Sequence, residues 1–151
     1  MEINLKKFKD LSVQELYEIL RVRESVFILD QKCFYHDIDC KDMNAHHLFM
    51  QDENKVIAYL RILDKGVSYD EISIGRVMVD KEYRGNGLAR KIMQNAIDFV
   101  VHNMNESKIR ISAQEYLLDF YKSLGFKAET EVYMEDDIPH IEMIYSAHGG
   151  K

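Results

Sequence analysis

The amino-acid sequence predicts an α/β (α+β) fold built on one mixed sheet with helices laid over it. Two observations carry that expectation. Apolar residues alternate with a period of two in some segments and recur at helical spacing in others, in the order β-α-ββ-β-α-β-α-ββ. The 151 residues contain one proline, Pro139, and no Ser/Gly-rich linker, low-complexity tract or repeat, so residues 1–151 read as a single domain.

Each element has its own warrant. Residues 3–8 alternate apolar and charged side chains and read as a short strand. Ser12 opens a capping box with Glu15, ahead of Val13, Leu16, Tyr17 and Leu20 at helical spacing, and this helix is expected to reach about Phe27. Residues 29–45 are polar and irregular, rich in Asp and His. The runs HHLFMQ and KVIAYLRIL flank the turn Asp52-Glu53-Asn54 as a hairpin. EISIGRVMV is the next strand. The loop KEYRGNG then leads into LARKIMQNAIDFVVHN, where Leu88, Ile92, Ala96, Phe99 and Val100 share one helical face. A strand KIRIS, a helix EYLLDFYKSL stopped by Gly125, and strands at residues 126–134 and 140–145 complete the order.

Composition narrows the function classes. With 46% hydrophobic and 30% charged residues, the chain has the make-up of a globular protein. A formal net charge of -6 argues against general nucleic-acid binding and against anionic membrane surfaces as partners. No apolar run approaches the roughly 20 residues that span a bilayer, and MEINLKKFKD lacks the apolar segment of a secretory signal. Cys33 and Cys40 match neither C-x-x-C nor a zinc spacing and read as free thiols, so the expected location is the cytoplasm.

The chemistry begins at Arg84-Gly85-Asn86-Gly87-Leu88-Ala89, between a strand and a helix. Backbone N–H groups at a helix start lack internal partners and carry the positive end of the helix dipole. Glycines there let a phosphate approach the main chain, and Arg84, with Arg90 and Lys91, adds positive charge. A Walker loop would need G-K-[ST] after its second glycine, and a Rossmann fingerprint a Gly or Ala where Arg90 stands. A diphosphate is the natural guest, and a turn that binds nothing is the alternative.

The hexapeptide resembles the Q/R-x-x-G-x-G/A signature of the GNAT (GCN5-related) acetyltransferases, which also lies between a strand and a long helix. Further on, residues 120–126, FYKSLGF, are similar to that family's F-Y-x-x-x-G-F segment. The tracts VFILDQKCFYHDIDCKD and EVYMEDDIPHIEM resemble its ElaA-like subgroup. The resemblance implies the acyl-CoA N-acyltransferase fold, a mixed, mostly antiparallel sheet with helices on both faces, and acetyl-CoA as co-substrate. It also implies roles. The backbone of Val77, Met78 and Val79 would meet the pantetheine arm, and Arg84, Gly85, Asn86, Gly87, Leu88 and Ala89 would hold the pyrophosphate. Gln114 stands where the family often has Asn. Tyr121 matches the tyrosine near the thioester sulfur and is the expected catalytic residue.

A phenol with an ordinary pKa near 10 keeps its proton at neutral pH, so Tyr121 can donate it to a departing thiolate. A backbone N–H on the strand can stabilise an oxyanion. The base is not evident, because Ser73, Gly75 and Arg76 occupy the strand positions where a carboxylate is sought. Three residues are candidates for the acceptor end. Asp37 belongs to an acidic loop, residues 36–42, and the acids between Glu129 and Asp137 would form an opposite rim. Acidic walls favour a cationic amine. Arg76 either anchors an acceptor carboxylate or pairs with an acid. His140 is either a proton relay or a core-edge histidine. Nothing near Cys33 or Cys40 supplies the ordered base an acetyl-enzyme would need; the segment 36–47 lacks an EF-hand's glycine and terminal glutamate, and its His spacing is not that of a zinc site.

The expected activity is transfer of an acetyl group from acetyl-CoA to an amine of a small molecule or peptide, by direct attack in a ternary complex. The alternatives are a catalytically silent CoA-binding module that regulates a partner, and an interaction domain whose glycine loop binds nothing. The acceptor and the oligomeric state are left open.

Overall fold

The structure is a computed structural model that describes residues 1–147. Its strands are β1 (Glu2–Lys7), β2 (His46–Asp52), β3 (Lys55–Leu63), β4 (Ile72–Val79), β5 (Lys108–Gln114), β6 (Phe126–Ala128), β7 (Tyr133–Glu135) and β8 (Ile138–Ser146). They form one sheet in the order β1-β2-β3-β4-β5-β8-β6, with β7 also paired to β8. Only β4 with β5 is parallel; the other pairings are antiparallel. The α-helices are α1 (Val13–Arg23), α2 (Leu88–Asp98) and α3 (Leu118–Ser123). Among the described residues no helix is long and apolar enough to cross a membrane.

Strand alternation sorts the core into two layers. Phe49 and Tyr59 turn to one face, where Ile19, Val22 and Phe27 of α1 and its extension cover them. Their neighbours Leu48, Met50 and Leu60 turn to the other face, against Ile92, Met93 and Ala96 of α2 and Tyr121 of α3. Each fully buried aliphatic side chain contributes about 1.5–3 kcal/mol.

Local rules account for most boundaries. Ser12 Oγ accepts from the Glu15 N–H at 3.0 Å, and Glu15 Oε1 accepts from the Ser12 N–H at 2.8 Å, which is the predicted capping box. The helix continues past Arg23 as a wider, π-helical turn through Asp30, three residues beyond the expected end. The β2–β3 hairpin turns on Glu53 and Asn54 alone, since Asp52 still pairs with Lys55.

One expectation changes. Residues 126–134 read as one strand, but the structure divides them into β6 and β7. Thr130 breaks the ladder, its hydroxyl taking the Glu142 N–H at 3.1 Å in place of a backbone carbonyl. The β7–β8 connection is the two-residue turn Asp136-Asp137, both with positive φ, 50° and 63°, as a primed hairpin turn requires.

His47 of β2 is fully buried. Its Nε2 lies 2.8 Å from the Asp42 carbonyl, which can only accept, so Nε2 carries the proton and Nδ1 accepts from the Tyr59 hydroxyl at 2.7 Å. Burial pushes the His47 pKa below its ordinary 6.5. The unfolded chain therefore binds the proton more readily. The stability that neutral His47 contributes is complete above pH 6.5 and is lost as pH falls below it. The stability difference between the parent and His47→Gln, from urea titrations, is expected to narrow between pH 7.5 and 5.5. A constant difference would show that His47 does not titrate on unfolding.

Candidate functional site

The site begins with an irregularity in β4. Arg61 pairs with Gly75 and Tyr59 with Met78, so two residues, Arg76 and Val77, oppose Leu60 alone. Such a bulge bends the strand and increases its twist. Arg76 takes the left-handed conformation, φ 53°, which glycine normally occupies at this kind of position. On its other side β4 pairs with β5 only at Ile72–Ile109 and Ser73–Arg110. Beyond Ser73 the two strands diverge, because β5 stays on β8 as far as Gln114–His140. Among the described residues, the β5-facing edge of β4 through Val77, Met78 and Val79 has no strand partner.

The loop after β4 delivers α2 to that opening. Gly87 is its N-cap with φ 75°, and no side chain caps the helix. A Cβ on Gly85 or Gly87 would meet nothing within 4 Å, so the loop is open on the side where glycine exposes the main chain. Arg84 Nε donates to the Val79 carbonyl at 3.0 Å, and its guanidinium stands 3.7 Å from Asp30. Asn86 turns away from the opening, its Nδ2 donating to the Tyr83 carbonyl at 3.1 Å, which closes the turn.

A single cavity of about 990 Å³ runs along this cleft. It gathers Val77, Met78, Val79, Arg84, Gly85, Gly87, Leu88, Ala89, Gln114 and Tyr121, together with Arg76 and His140. Asn86 and Asp37 are not in its wall. Gln114 Nε2 donates to Gln31 Oε1 at 3.3 Å, tying the end of β5 to the segment after α1. Tyr121 is 6% exposed, between the rings of Phe120 and Phe126. Burial, with Tyr116 adding to it, pushes its phenol well above 10, so the hydroxyl stays protonated. Arg90, secured to Ser123 Oγ at 2.8 Å, adds a cation beside the start of α2.

A glycine loop opening an uncapped helix, beside a strand that leaves its neighbour half-way, matches what sequence and structure comparisons return. The profile of the acetyltransferase (GNAT) domain covers residues 8–147. The chain belongs to the GNAT acetyltransferase family. It is 37% identical over 136 residues to Protein ElaA of Escherichia coli, spanning 89% of each chain. The crystal structure of that protein superposes with a TM-score of 0.90 over 97% of this chain and 100% of the other. An acyl-CoA N-acyltransferase of Pseudomonas aeruginosa is similar as well, with 36% identity, a TM-score of 0.91 and the same coverage. A UPF0039 protein of Schizosaccharomyces pombe is 39% identical over 145 residues, 95% of both chains. The family is the ElaA-like branch of GNAT, whose fold binds acyl-CoA.

The opposite end of this GNAT cavity differs from the acidic wall expected of residues 36–42. Asp37, Asp39 and Asp42 face three guanidiniums, and the charges balance. Arg23, fully buried, donates from Nε to Asp37 at 2.9 Å and from Nη1 to Asp42 at 2.8 Å. Arg61 takes Asp39 at 2.6 Å and Asp42 at 3.0 Å. Arg76 reaches the Asp37 carbonyl at 3.0 Å and stacks on Tyr35 at 5.3 Å. Its Nε lies 2.7 Å from Asp37 Oδ1 but off the N–H axis, an ion pair without an aligned hydrogen bond. Asp37 is therefore committed to arginines, and Arg76 pairs with acids. Burial works to raise Asp39 and Asp42, yet the arginines outweigh it and hold both carboxyls below their ordinary range.

Arg23 and Arg61 were not singled out by sequence reasoning, and Asp42 was read only as the end of the acidic loop. The available signal was an arginine on the apolar face of a helix and another inside KVIAYLRIL. Removing one member of a buried ion-pair cluster leaves its partners uncompensated. Asp42→Ala is expected to lower unfolding stability by about 3–5 kcal/mol in urea titrations. A loss under about 1 kcal/mol, the range of exposed pairs, would mean that water reaches Arg23 and Arg61.

Proposed function

We propose that the chain is an acetyl-CoA-dependent N-acetyltransferase acting on an amine of a small molecule or peptide. The observation that supports this is that one cavity holds an uncapped, glycine-opened helix start, an unpaired strand edge and a protonated buried phenol. The N–H groups at the start of α2, with Arg84 and Arg90, suit a diphosphate. The free edge of β4 suits the amides of a pantetheine arm, and one of its N–H groups can receive an oxyanion. Acetyl-CoA supplies an activated acyl group. Among the described residues no side-chain hydrogen bond to the Tyr121 hydroxyl is present, which suits it to give its proton to a leaving sulfur.

Two outcomes are expected. Acetyl-CoA should raise the melting temperature of the parent, and Gly87→Val should abolish that rise while the fold persists. The substitution places a branched side chain in the open space and strains a φ of 75°. Undiminished binding by Gly87→Val would displace the diphosphate from this loop. Tyr121→Phe should lower kcat by roughly ten- to ten-thousand-fold with acetyl-CoA affinity little changed, read as thiol release across an amine panel. An unchanged kcat in single-turnover measurements would assign Tyr121 to packing.

A further inference from the structure

Arginines take Asp37, Asp39 and Asp42 out of contention as a base, and the remaining candidates lie on the far wall of the cavity. There β5, β7 and β8 present one face. Gln114 pairs with His140, Tyr133 pairs with His140 from the other side, and Glu135 pairs with Ile138. Directly opposed residues lie on the same side of a sheet, so Ser112, Gln114, Tyr133, Glu135 and His140 project together. Ser112, Gln114, Glu135 and His140 line the cavity.

Hydrogen bonding orients the imidazole. His140 Nδ1 stands 2.7 Å from the Ile138 carbonyl, which can only accept, so Nδ1 carries the proton and the neutral ring offers Nε2 as its basic atom. His140 is 7% exposed, and Tyr133 stacks on the ring with an interplanar angle of 28°. Glu135 Oε2 lies 3.7 Å from Nε2. The other oxygen, Oε1, accepts from Ser112 Oγ at 3.1 Å, and Ser112 also bonds the Tyr133 hydroxyl. Among the described residues Glu135 has no arginine or lysine partner, unlike Asp39.

The neighbouring groups are poor bases. Burial pushes the Tyr133 phenol up and the Tyr69 phenol to about 12, so both remain protonated. Burial also raises the Cys33 thiol, with Asp136 and Asp137 adding to it, and its Sγ is engaged with the Asp136 carbonyl at 3.1 Å.

We infer that His140 Nε2, backed by the Glu135 carboxylate that Ser112 holds, takes the proton from an acceptor that enters as an alkylammonium ion. The inference rests on the acetyltransferase reading above. One N–H bond of the ammonium breaks and an Nε2–H bond forms, giving an imidazolium beside Glu135. The freed amine attacks the thioester carbonyl, so a C–N bond forms and the C–S bond breaks. The sulfur takes the Tyr121 proton, and the phenolate recovers one from the nitrogen as it becomes an amide. His140 returns its proton to solvent. The net reaction is ammonium plus thioester giving amide, thiol and one proton.

An acceptor that is already neutral in water has no need of this step. The test compares an alkylamine with a hydrazide, which is largely neutral at pH 7, in the parent and in His140→Asn. The asparagine Nδ2 can still donate to the Ile138 carbonyl. We expect kcat/KM for the alkylamine to fall at least about a hundred-fold and that for the hydrazide at least ten-fold less, with acetyl-CoA affinity at the parental value. Added imidazole should restore part of the alkylamine rate. Glu135 is half-exposed, so Glu135→Gln preserves the fold, and it should raise KM for the alkylamine but not for the hydrazide. Equal losses for both acceptors, or none, overturn the assignment while leaving the acetyltransferase reading intact. A parent that binds acetyl-CoA but releases no thiol with any amine overturns both.

Discussion

Arg76 is the residue on which the geometry of the cavity depends. Two requirements meet there. The side chains of β4 must serve one core before the bulge, through Ile72 and Ile74, and keep serving it afterwards, through Val77 and Val79. From residue 74 to residue 77 is an odd step, which strict alternation forbids. One residue has to be absorbed, and Arg76 absorbs it at φ 53°. A non-glycine residue held there carries strain of order 1–3 kcal/mol and persists only where its surroundings over-determine it. They do so here, since Asp37, Asp39 and Tyr35 all grip the guanidinium.

That grip joins the two halves of the site. The loop of residues 35–42 has no regular partner of its own beyond a short 3₁₀ turn at Asp42–Asn44. It is held because Arg23 from α1, Arg61 from β3 and Arg76 from β4 converge on its carboxylates. The same cluster that gives the loop a single position also fixes the bulge that opens β4. Replacing such a cluster with apolar residues is often neutral for stability. Here an apolar substitute would leave Arg76 without partners and the strained turn without its restraint.

Much of this was legible in the chain. The capping box at Ser12, the long amphipathic face beginning at Leu88 and the two motifs around Gly87 and Tyr121 are local patterns. Their physics is complete within a few residues. The division of residues 126–134 was not legible, because it follows from the Thr130 hydroxyl meeting Glu142, a partner twelve positions away. The acidic loop was misread as a charged wall for a similar reason. Its charge is visible in the sequence, but the arginines that cancel it, buried Arg23 and Arg61 and half-buried Arg76, are distributed over α1, β3 and β4.

In the proposed reading the two ends of the cavity differ in the kind of atom that would do the recognising. This explains why one end is legible as a motif while at the other His140 and the acids of Glu129–Asp137 stood out singly and Ser112 did not. The α2 end would work through main-chain groups, which every residue carries. The sequence has only to supply glycines and a helix start at the right place, and a short motif suffices. The acceptor end, in the reading proposed above, would work through side chains of Ser112, Glu135 and His140 from three strands. Their meeting is set by the β5–β8 register and the tight turn at Asp136-Asp137. A one-residue slip of that hairpin would turn His140 to the opposite face without changing any residue type. The end that is common to a family can thus be held by backbone while the end that selects an acceptor changes through register and side chains. If His140 and Glu135 act as proposed, the hairpin from Tyr133 to His140 is the element whose geometry bears most directly on acceptor choice.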